Sequence, residues 1–380
     1  MNILYEDSMP YAQHYFPKLG NARAFSSHKI VADDLQDIDV LLVRSTTKVN
    51  EALLSKANKL VFVGTATAGS DHLDKGYLDA RFIPWTSAAG CNAIAVAEYV
   101  LSCLMLRYAN ELDKLVNSTV GIVGAGHVGT ALNKRLTALG IQTKLCDPPL
   151  QQQGDPREFV SLEQICRCDV ISLHVPFVDN GPHPTQHMFD SERLAMLGPE
   201  QLLINACRGE VIDNQALYHC IQQGRSPTIM MDVWENEPNI LFDLIPLVDV
   251  ATAHIAGHSL EGKARGTFML YQHLCQHFGL EETLTFASCL PHATALQFDH
   301  LHRLSPMEQV REAIFATYNV AQDSMLFKQQ VNSADAFVYS RKHYAIRREF
   351  ASVPLITGNF NPTEALYRLG FRASEGCPAK

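Results

Sequence analysis

The sequence predicts an α/β protein with two doubly wound parallel-sheet domains and a small α+β domain at its carboxyl end. Three observations carry this prediction. Short β-branched or Leu-rich runs alternate with helical patterns at Met1 to Tyr5, Val40 to Val43 and Leu60 to Val63. A second series runs from Val120 through Lys144-Leu145-Cys146, Val170 to Leu173, Leu202 to Ile204, Thr228 to Met231 and Val248 to Val250. Between the two lies an Ala-, Val- and Leu-rich helical stretch from Asn92, a cap, to about Leu115, read as a helix crossing between domains.

The helical segment Leu260 to His277 has no strand partner, so it is expected to return the chain to the first domain. That domain is then discontinuous, comprising residues 1–92 and 258–285, with a second domain at 93–257 between them in the sequence. From 286 to 380 the pattern changes to mixed short segments without a catalytic signature. This segment is expected to form a separate small domain, in which Arg347-Arg348 could reach a partner subunit's substrate phosphate, an exposed basic pair being the commoner reading.

A chain of 380 residues has room for two to three such domains. Its 47% hydrophobic and 19% charged residues exclude a disordered or fibrous class. With 31 Lys plus Arg against 40 Asp plus Glu and no basic run, nucleic acid is not an expected partner. Any anionic ligand must be held by local arginines, hydroxyls and backbone N–H groups. No apolar stretch approaches the roughly 18 residues of a membrane span. The ten cysteines form no C-x-x-C, and no basic-plus-apolar leader opens the chain, so a reducing, cytoplasmic setting is expected.

Chemistry enters at the strand ends. The strand Val120 to Val123 runs into Gly124-Ala125-Gly126-His127-Val128-Gly129 and then a helical pattern, the strand, G-x-G-x-x-G, helix order of a Rossmann dinucleotide site. Asp147 ends the next strand 18 positions after Gly129 and is placed to bind the adenosine ribose. Pro148, Pro149 and Leu150 follow it, with no arginine for a 2′-phosphate, which favours NAD over NADP. Arg208, Glu237 and His254 each follow a later strand. They suit a carboxylate clamp, an acid that orients an imidazole, and a base that takes an alcohol proton. Glu235 competes locally with Glu237. His72, His174 and His187 lack zinc-site spacing, and no metal is expected.

From Met1 to about His277 the chain resembles the D-2-hydroxyacid dehydrogenase family. The glycine motif, Arg208-Gly209, Asp232 with Glu237-Pro238, and His254-Ile255-Ala256-Gly257 occur in the family's order. The resemblance implies catalytic Arg208, Glu237 and His254. It implies an NAD site lined also by Val175, Ala206, Cys207, Asp232 and Gly257, and substrate contacts at Ser45, Thr67 and His258. A narrower likeness rests on Arg44-Ser45-Thr46-Thr47, Gly64 to Gly69, Gly90-Cys91-Asn92-Ala93, Cys146-Asp147-Pro148-Pro149 and the carboxyl-terminal extension. It implies a homodimer formed through that extension. The implied substrate is a phosphorylated hydroxy acid, 4-phospho-D-erythronate, oxidised at C2 to 2-oxo-3-hydroxy-4-phosphobutanoate, a step toward pyridoxal phosphate. Two departures stand out: Ala253 occupies a position where proline is usual, and His258 one where tyrosine is usual. A 3-phosphoglycerate- or glyoxylate-type dehydrogenase remains an alternative, as does a non-enzymatic NAD-sensing corepressor on the same fold.

Overall fold

A run such as Val40-Leu41-Leu42-Val43 has no polar alternation, and a parallel strand of that kind needs cover on both faces. In the computed structural model, all four of these residues are buried. The structure describes residues 1–380 except 28, 299–300, 302, 357–361 and 375–380. The chain divides into two compact units, Met1–Asn92 with Ser259–His292, and Ala93–His258 with Ala293–Lys380.

The first unit is built on β1 (Asn2–Glu6), β2 (Asn21–Phe25), β3 (Val40–Val43), β4 (Phe62–Thr65) and β5 (Trp85–Ser87). They form one parallel sheet in the order β2-β1-β3-β4-β5. Ile3, Tyr5, Val40 and Leu42 pack with Leu270, Tyr271 and Leu274 of the helix Leu260–Phe278. Leu4, Leu41, Val43 and Val63 pack with Leu35, Leu54 and Leu78 in a separate cluster. The split between neighbours along each strand follows the period of two. Ser259 caps the helix by accepting from the Gly262 N–H, and Gly279, at φ 65°, closes it. The helix lies so near the sheet that a Cβ on Gly266 would stand 2.3 Å from the Ala66 carbonyl oxygen. Strand β2 was not foreseeable from pattern: Asn21-Ala22-Arg23-Ala24-Phe25 is a largely exposed edge strand with no apolar alternation.

The second unit holds β6 (Thr119–Val123), β7 (Gln142–Cys146), β8 (Val170–Leu173), β9 (Leu202–Asn205), β10 (Thr228–Met231) and β11 (Val250–Ala251). Their order is β11-β10-β9-β8-β6-β7, all parallel. The expected crossing helix is Ala93–Arg107 and belongs to this unit. Its residues from Ala95 to Met105 are all buried, as an all-round apolar helix requires. It ends before Tyr108, and the short helix Leu112–Val116 takes up the remainder of the stretch.

The sequence pattern set residues 286–380 apart, whereas Ala293–Lys380 groups with the second unit. The reason is a shared core. Val310, Ala313 and Ile314 of the helix Pro306–Thr317 and Phe327 of the helix Val320–Gln330 join the same buried cluster as Val100 and Leu104. The Ser102 hydroxyl donates to the Tyr318 carbonyl and accepts from the Val320 N–H, both at 3.0 Å. The helix Ala334–Lys342 follows, and β12 (Leu296–Gln297), β13 (Pro354–Ile356) and β14 (Arg372–Ser374) form a small parallel sheet in that order. Among the described residues, no helix is long and apolar enough to cross a membrane.

Alanine at Gly266 would add about 1 kcal/mol of helix propensity. The displaced Ala66 backbone should outweigh that gain, so Gly266→Ala is expected to destabilise the protein by about 1–3 kcal/mol. A lowered thermal midpoint checks this; a raised one would show that the helix can simply shift.

Candidate active site

Strand β6 is flanked by β7 on one side and β8 on the other, so the winding reverses there. Ligands of open parallel sheets gather at the carboxyl ends of strands beside such a reversal. The glycine loop stands at this point, and its three glycines answer different demands. Gly124 has φ 88°, and a Cβ there would lie 2.5 Å from the His174 carbonyl oxygen. A Cβ on Gly129 would lie 2.1 Å from the Gly124 carbonyl oxygen, whereas one on Gly126 would meet nothing within 4 Å. The fold itself requires Gly124 and Gly129, while Gly126 faces open space suited to the close approach of a pyrophosphate. The helix His127–Ala138 starts at Gly126 with no side-chain cap, leaving the N–H groups of its first turn, from His127 through Val128 and Gly129, to an anion. These residues fit NAD.

The Asp147 carboxylate borders the same loop. Oδ2 accepts from the Ala125 N–H at 2.8 Å, and Oδ1 caps the helix Pro148–Gln152 through the Leu150 N–H at 3.0 Å. The sequence pattern did not point to Arg157, yet it braces the loop: Nη1 donates to the Ala125 carbonyl and the Thr130 hydroxyl at 2.9 Å each. Its Nε and Nη2 grip Asp155 at 2.8 Å, which neutralises the guanidinium locally. Val175 follows β8, Ala206 and Cys207 follow β9, and Gly257 lies in the loop after β11. Burial pushes the Cys207 thiol up to about 11, so it is a neutral neighbour.

Asp232, at the end of β10, is buried and its carboxylate is fully engaged. Oδ1 accepts from the Thr252 hydroxyl at 2.6 Å and the Ile255 N–H at 2.7 Å, and Oδ2 accepts from the Ala256 N–H at 2.9 Å. Its carbonyl accepts from the His254 N–H at 2.7 Å. These bonds hold His254 at φ 55°, a left-handed conformation uncommon for a residue other than glycine.

So held, His254 places Nδ1 2.8 Å from Glu237 Oε2, and Glu237 Oε1 accepts from the Trp234 N–H at 3.0 Å. Burial pushes the Glu237 carboxyl up. The charge and hydrogen bond of His254, the Arg341 guanidinium and the Trp234 N–H outweigh that push and hold it below the usual carboxylate range. With Nδ1–H donating to an ionised Glu237, the other ring nitrogen, Nε2, carries the lone pair that accepts a proton.

Arg208 follows β9, and its Nη1 donates to the Cys207 carbonyl at 2.8 Å. A Cβ on Gly209 would stand 1.9 Å from the Trp234 carbonyl carbon, so this glycine lets the Arg208 loop meet the backbone that leads to Glu237. Strands β9, β10 and β11 are sheet neighbours, and Arg208, Glu237 and His254 lie in the loops that follow their carboxyl ends. Glu235 belongs elsewhere: Oε1 lies 2.6 Å from His187 Nε2, and Oε2 accepts from the Asn214 N–H at 2.7 Å. Together with Asp213, these two form the single group of three His, Cys, Asp or Glu side chains among the described residues whose ligand atoms lie within 4.8 Å of one another. His174 Nε2 is 2.8 Å from the Ser172 hydroxyl, and burial lowers this imidazole to about 3.

In the first unit, Ser45 is exposed after β3, and the Thr67 hydroxyl donates to the Gly69 carbonyl at 2.8 Å. Thr67 also meets the Thr65 hydroxyl at 2.8 Å, which lies 2.9 Å from His72 Nε2. The buried Glu6, which no motif flagged, organises the loop around Ser45. It accepts from the Arg44 N–H at 2.9 Å and from the Thr46 and Thr47 hydroxyls at 2.9 and 2.8 Å. An acid at the end of a central strand was the available signal. In the second unit, the His258 ring lies 6.1 Å from that of Tyr344, inclined at 54°.

Residues 105–258 match the model of the D-isomer specific 2-hydroxyacid dehydrogenase NAD-binding domain, and residues 290–370 match a domain of unknown function. Two solved structures share the fold. A D-lactate dehydrogenase from Aquifex aeolicus complexed with NAD and lactic acid has TM-score 0.57 at 23% identity over 73% of this chain and 96% of its own. An NAD-dependent formate dehydrogenase from Staphylococcus aureus has TM-score 0.57 at 22% identity over 75% and 98%. Fold and cofactor loop are those of an NAD-dependent 2-hydroxyacid dehydrogenase, an oxidoreductase. Among curated relatives, the erythronate-4-phosphate dehydrogenase of Pseudoalteromonas atlantica is 51% identical over 98% of this chain and 99% of its own. That of Psychromonas ingrahamii is 45% identical over 98% and 96%. The chain belongs to the erythronate-4-phosphate dehydrogenase family.

Two substitutions separate the candidate acids. Glu237→Gln is expected to lower kcat by about 10²-fold or more, while Glu235→Gln should stay within several-fold of the parent. Equal losses would mean that the 2.8 Å contact does not decide the role. Gly126→Val should fold with an unchanged thermal midpoint but bind NAD at least about tenfold more weakly by calorimetry; unaltered affinity would place the pyrophosphate elsewhere.

Proposed function

We propose that this chain oxidises 4-phospho-D-erythronate at C2 to 2-oxo-3-hydroxy-4-phosphobutanoate, a step toward pyridoxal phosphate. The reading is carried by the His254–Glu237 contact of 2.8 Å, which leaves Nε2 as the proton acceptor. The substrate is supported by the names of the full-length relatives. Arg208 grips the substrate carboxylate with its planar guanidinium. His254 Nε2 takes the C2 hydroxyl proton, and the Glu237 carboxylate stabilises the imidazolium that forms. Bound NAD supplies the acceptor for the C2 hydrogen and its electron pair. Ser45 and Thr67 hold the phosphate through hydroxyl and backbone donors, and His258 adds an imidazole donor.

Association into a homodimer is part of the same reading. The carboxyl-terminal segment exposes Val338, Tyr339 and Ile346, the last at 81%, together with Met325 and Leu326, and such apolar surface suits burial against a second copy. Nine free thiols among the described residues suit the reducing cytoplasm.

His254→Ala is expected to lower kcat by about 10²-fold or more with NAD affinity retained; joint loss of turnover and NAD binding would argue against the role as base. NADH absorbance in a single turnover, with 4-phosphoerythronate, 3-phosphoglycerate and simple 2-hydroxy acids in parallel, tests the substrate. Selective NADH formation with 4-phosphoerythronate is expected, and preference for another acid would keep the mechanism and change the substrate.

A further inference from the structure

The carboxyl-terminal segment, matched only to a domain of unknown function, brings one arginine to the loop of His254 and another to the Glu237 carboxylate. The first is Arg347, which the sequence pattern read as surface. It is 5% exposed, with its guanidinium carbon 3.7 Å from the centre of the Tyr318 ring. Its Nη1 donates to the Ala256 carbonyl at 3.1 Å, and its Nη2 donates to the Ala95 carbonyl. The Ala256 peptide is thus held from both sides, by Asp232 at its N–H and by Arg347 at its carbonyl, two residues beyond His254.

The second is Arg341, whose Nη1 lies 4.0 Å from Glu237 Oε2, the oxygen that faces His254. A continuous stack fixes it there. Trp234, whose N–H binds the other Glu237 oxygen, stacks on Phe327 at 5.8 Å and 17°. Phe327 in turn meets the Phe337 ring edge-on at 5.9 Å. Phe337 and Arg341 stand four residues apart on the helix Ala334–Lys342, and therefore on one face.

We propose that the carboxyl-terminal segment positions the base of this dehydrogenase: Arg347 holds the loop of His254, and Arg341 faces the Glu237 carboxylate and moderates its pull on the imidazolium. The inference rests on the reading of Glu237 and His254 as the acid–base pair. Among the described residues, the charged groups recorded against the Glu237 carboxylate are His254 and Arg341. A cation beside the carboxylate disfavours a second cation on the histidine. Without Arg341, the imidazolium is better stabilised and holds its proton to higher pH. Oxidation of the alcohol requires the unprotonated base, so the acid limb of its pH profile must then move upward.

The test measures kcat/KM for NAD-dependent oxidation of 4-phosphoerythronate against pH in the full-length protein, with NAD affinity as a check on folding. Arg341→Met should raise the midpoint of the acid limb by roughly half to one pH unit, and Arg341→Lys should restore it. Arg347→Lys, which loses the two-armed grip, should lower kcat at least about tenfold across the profile without moving the limb. A fall in rate at every pH with an unmoved limb in Arg341→Met would mark a merely structural arginine and overturn the proposal, as would parent-like kcat in Arg347→Lys. His254→Ala, measured alongside, separates the two claims: if it turns over at the parental rate, the acid–base reading itself fails.

Discussion

The Asp232 carboxylate is the point on which the catalytic half of this molecule turns. One buried anion gathers the Thr252 hydroxyl and the N–H groups of Ile255 and Ala256, while its own carbonyl takes the His254 N–H. Each of those buried donors would otherwise be left unsatisfied at a cost of about 1–3 kcal/mol. The carboxylate thus lets the chain turn sharply after β11 and sustain a histidine at φ 55°. The Tyr99 hydroxyl, from the buried helix Ala93–Arg107, reaches the same Thr252 at 2.9 Å. The sheet, the buried helix and the histidine loop therefore meet in one hydrogen-bonded centre.

The resemblance implies Asp232 at the cofactor. In the structure its carboxylate also underlies the histidine loop, through the N–H groups of Ile255 and Ala256. A parallel sheet makes this economical, because every strand delivers its next loop to the same edge. Adjacent β9, β10 and β11 deliver Arg208, Glu237 and His254, and the backbone contact at Gly209 draws the first two loops together. Glu6 does comparable work in the first unit, tying donors of Arg44, Thr46 and Thr47 around Ser45 to the end of β1.

Much of this was legible in the residues. Buried parallel strands announce themselves as apolar runs, so β3, β8 and β9 stand out, and Gly124 and Gly129 of the cofactor loop meet steric demands that only glycine satisfies. Edge strand β2 was not legible, since exposure removes the apolar signal. Choosing between Glu235 and Glu237 was likewise beyond the pattern: two carboxylates two residues apart differ only in which histidine the folded loop brings to each. Arg157 and Arg347 were hidden for a related reason. Each reaches its loop through backbone carbonyls, of Ala125 in one case and of Ala95 and Ala256 in the other, and a carbonyl leaves no mark in the sequence.

The central claim, that a loop held by Asp232 presents His254 Nε2 as the base, is tested most directly by a crystal structure with NAD and 4-phosphoerythronate bound. The account predicts Nε2 within about 2.6–3.2 Å of the C2 oxygen, with Nδ1 still on Glu237 and the substrate carboxylate on Arg208. A C2 oxygen bound to another side chain, with His254 turned away from it, would contradict the account.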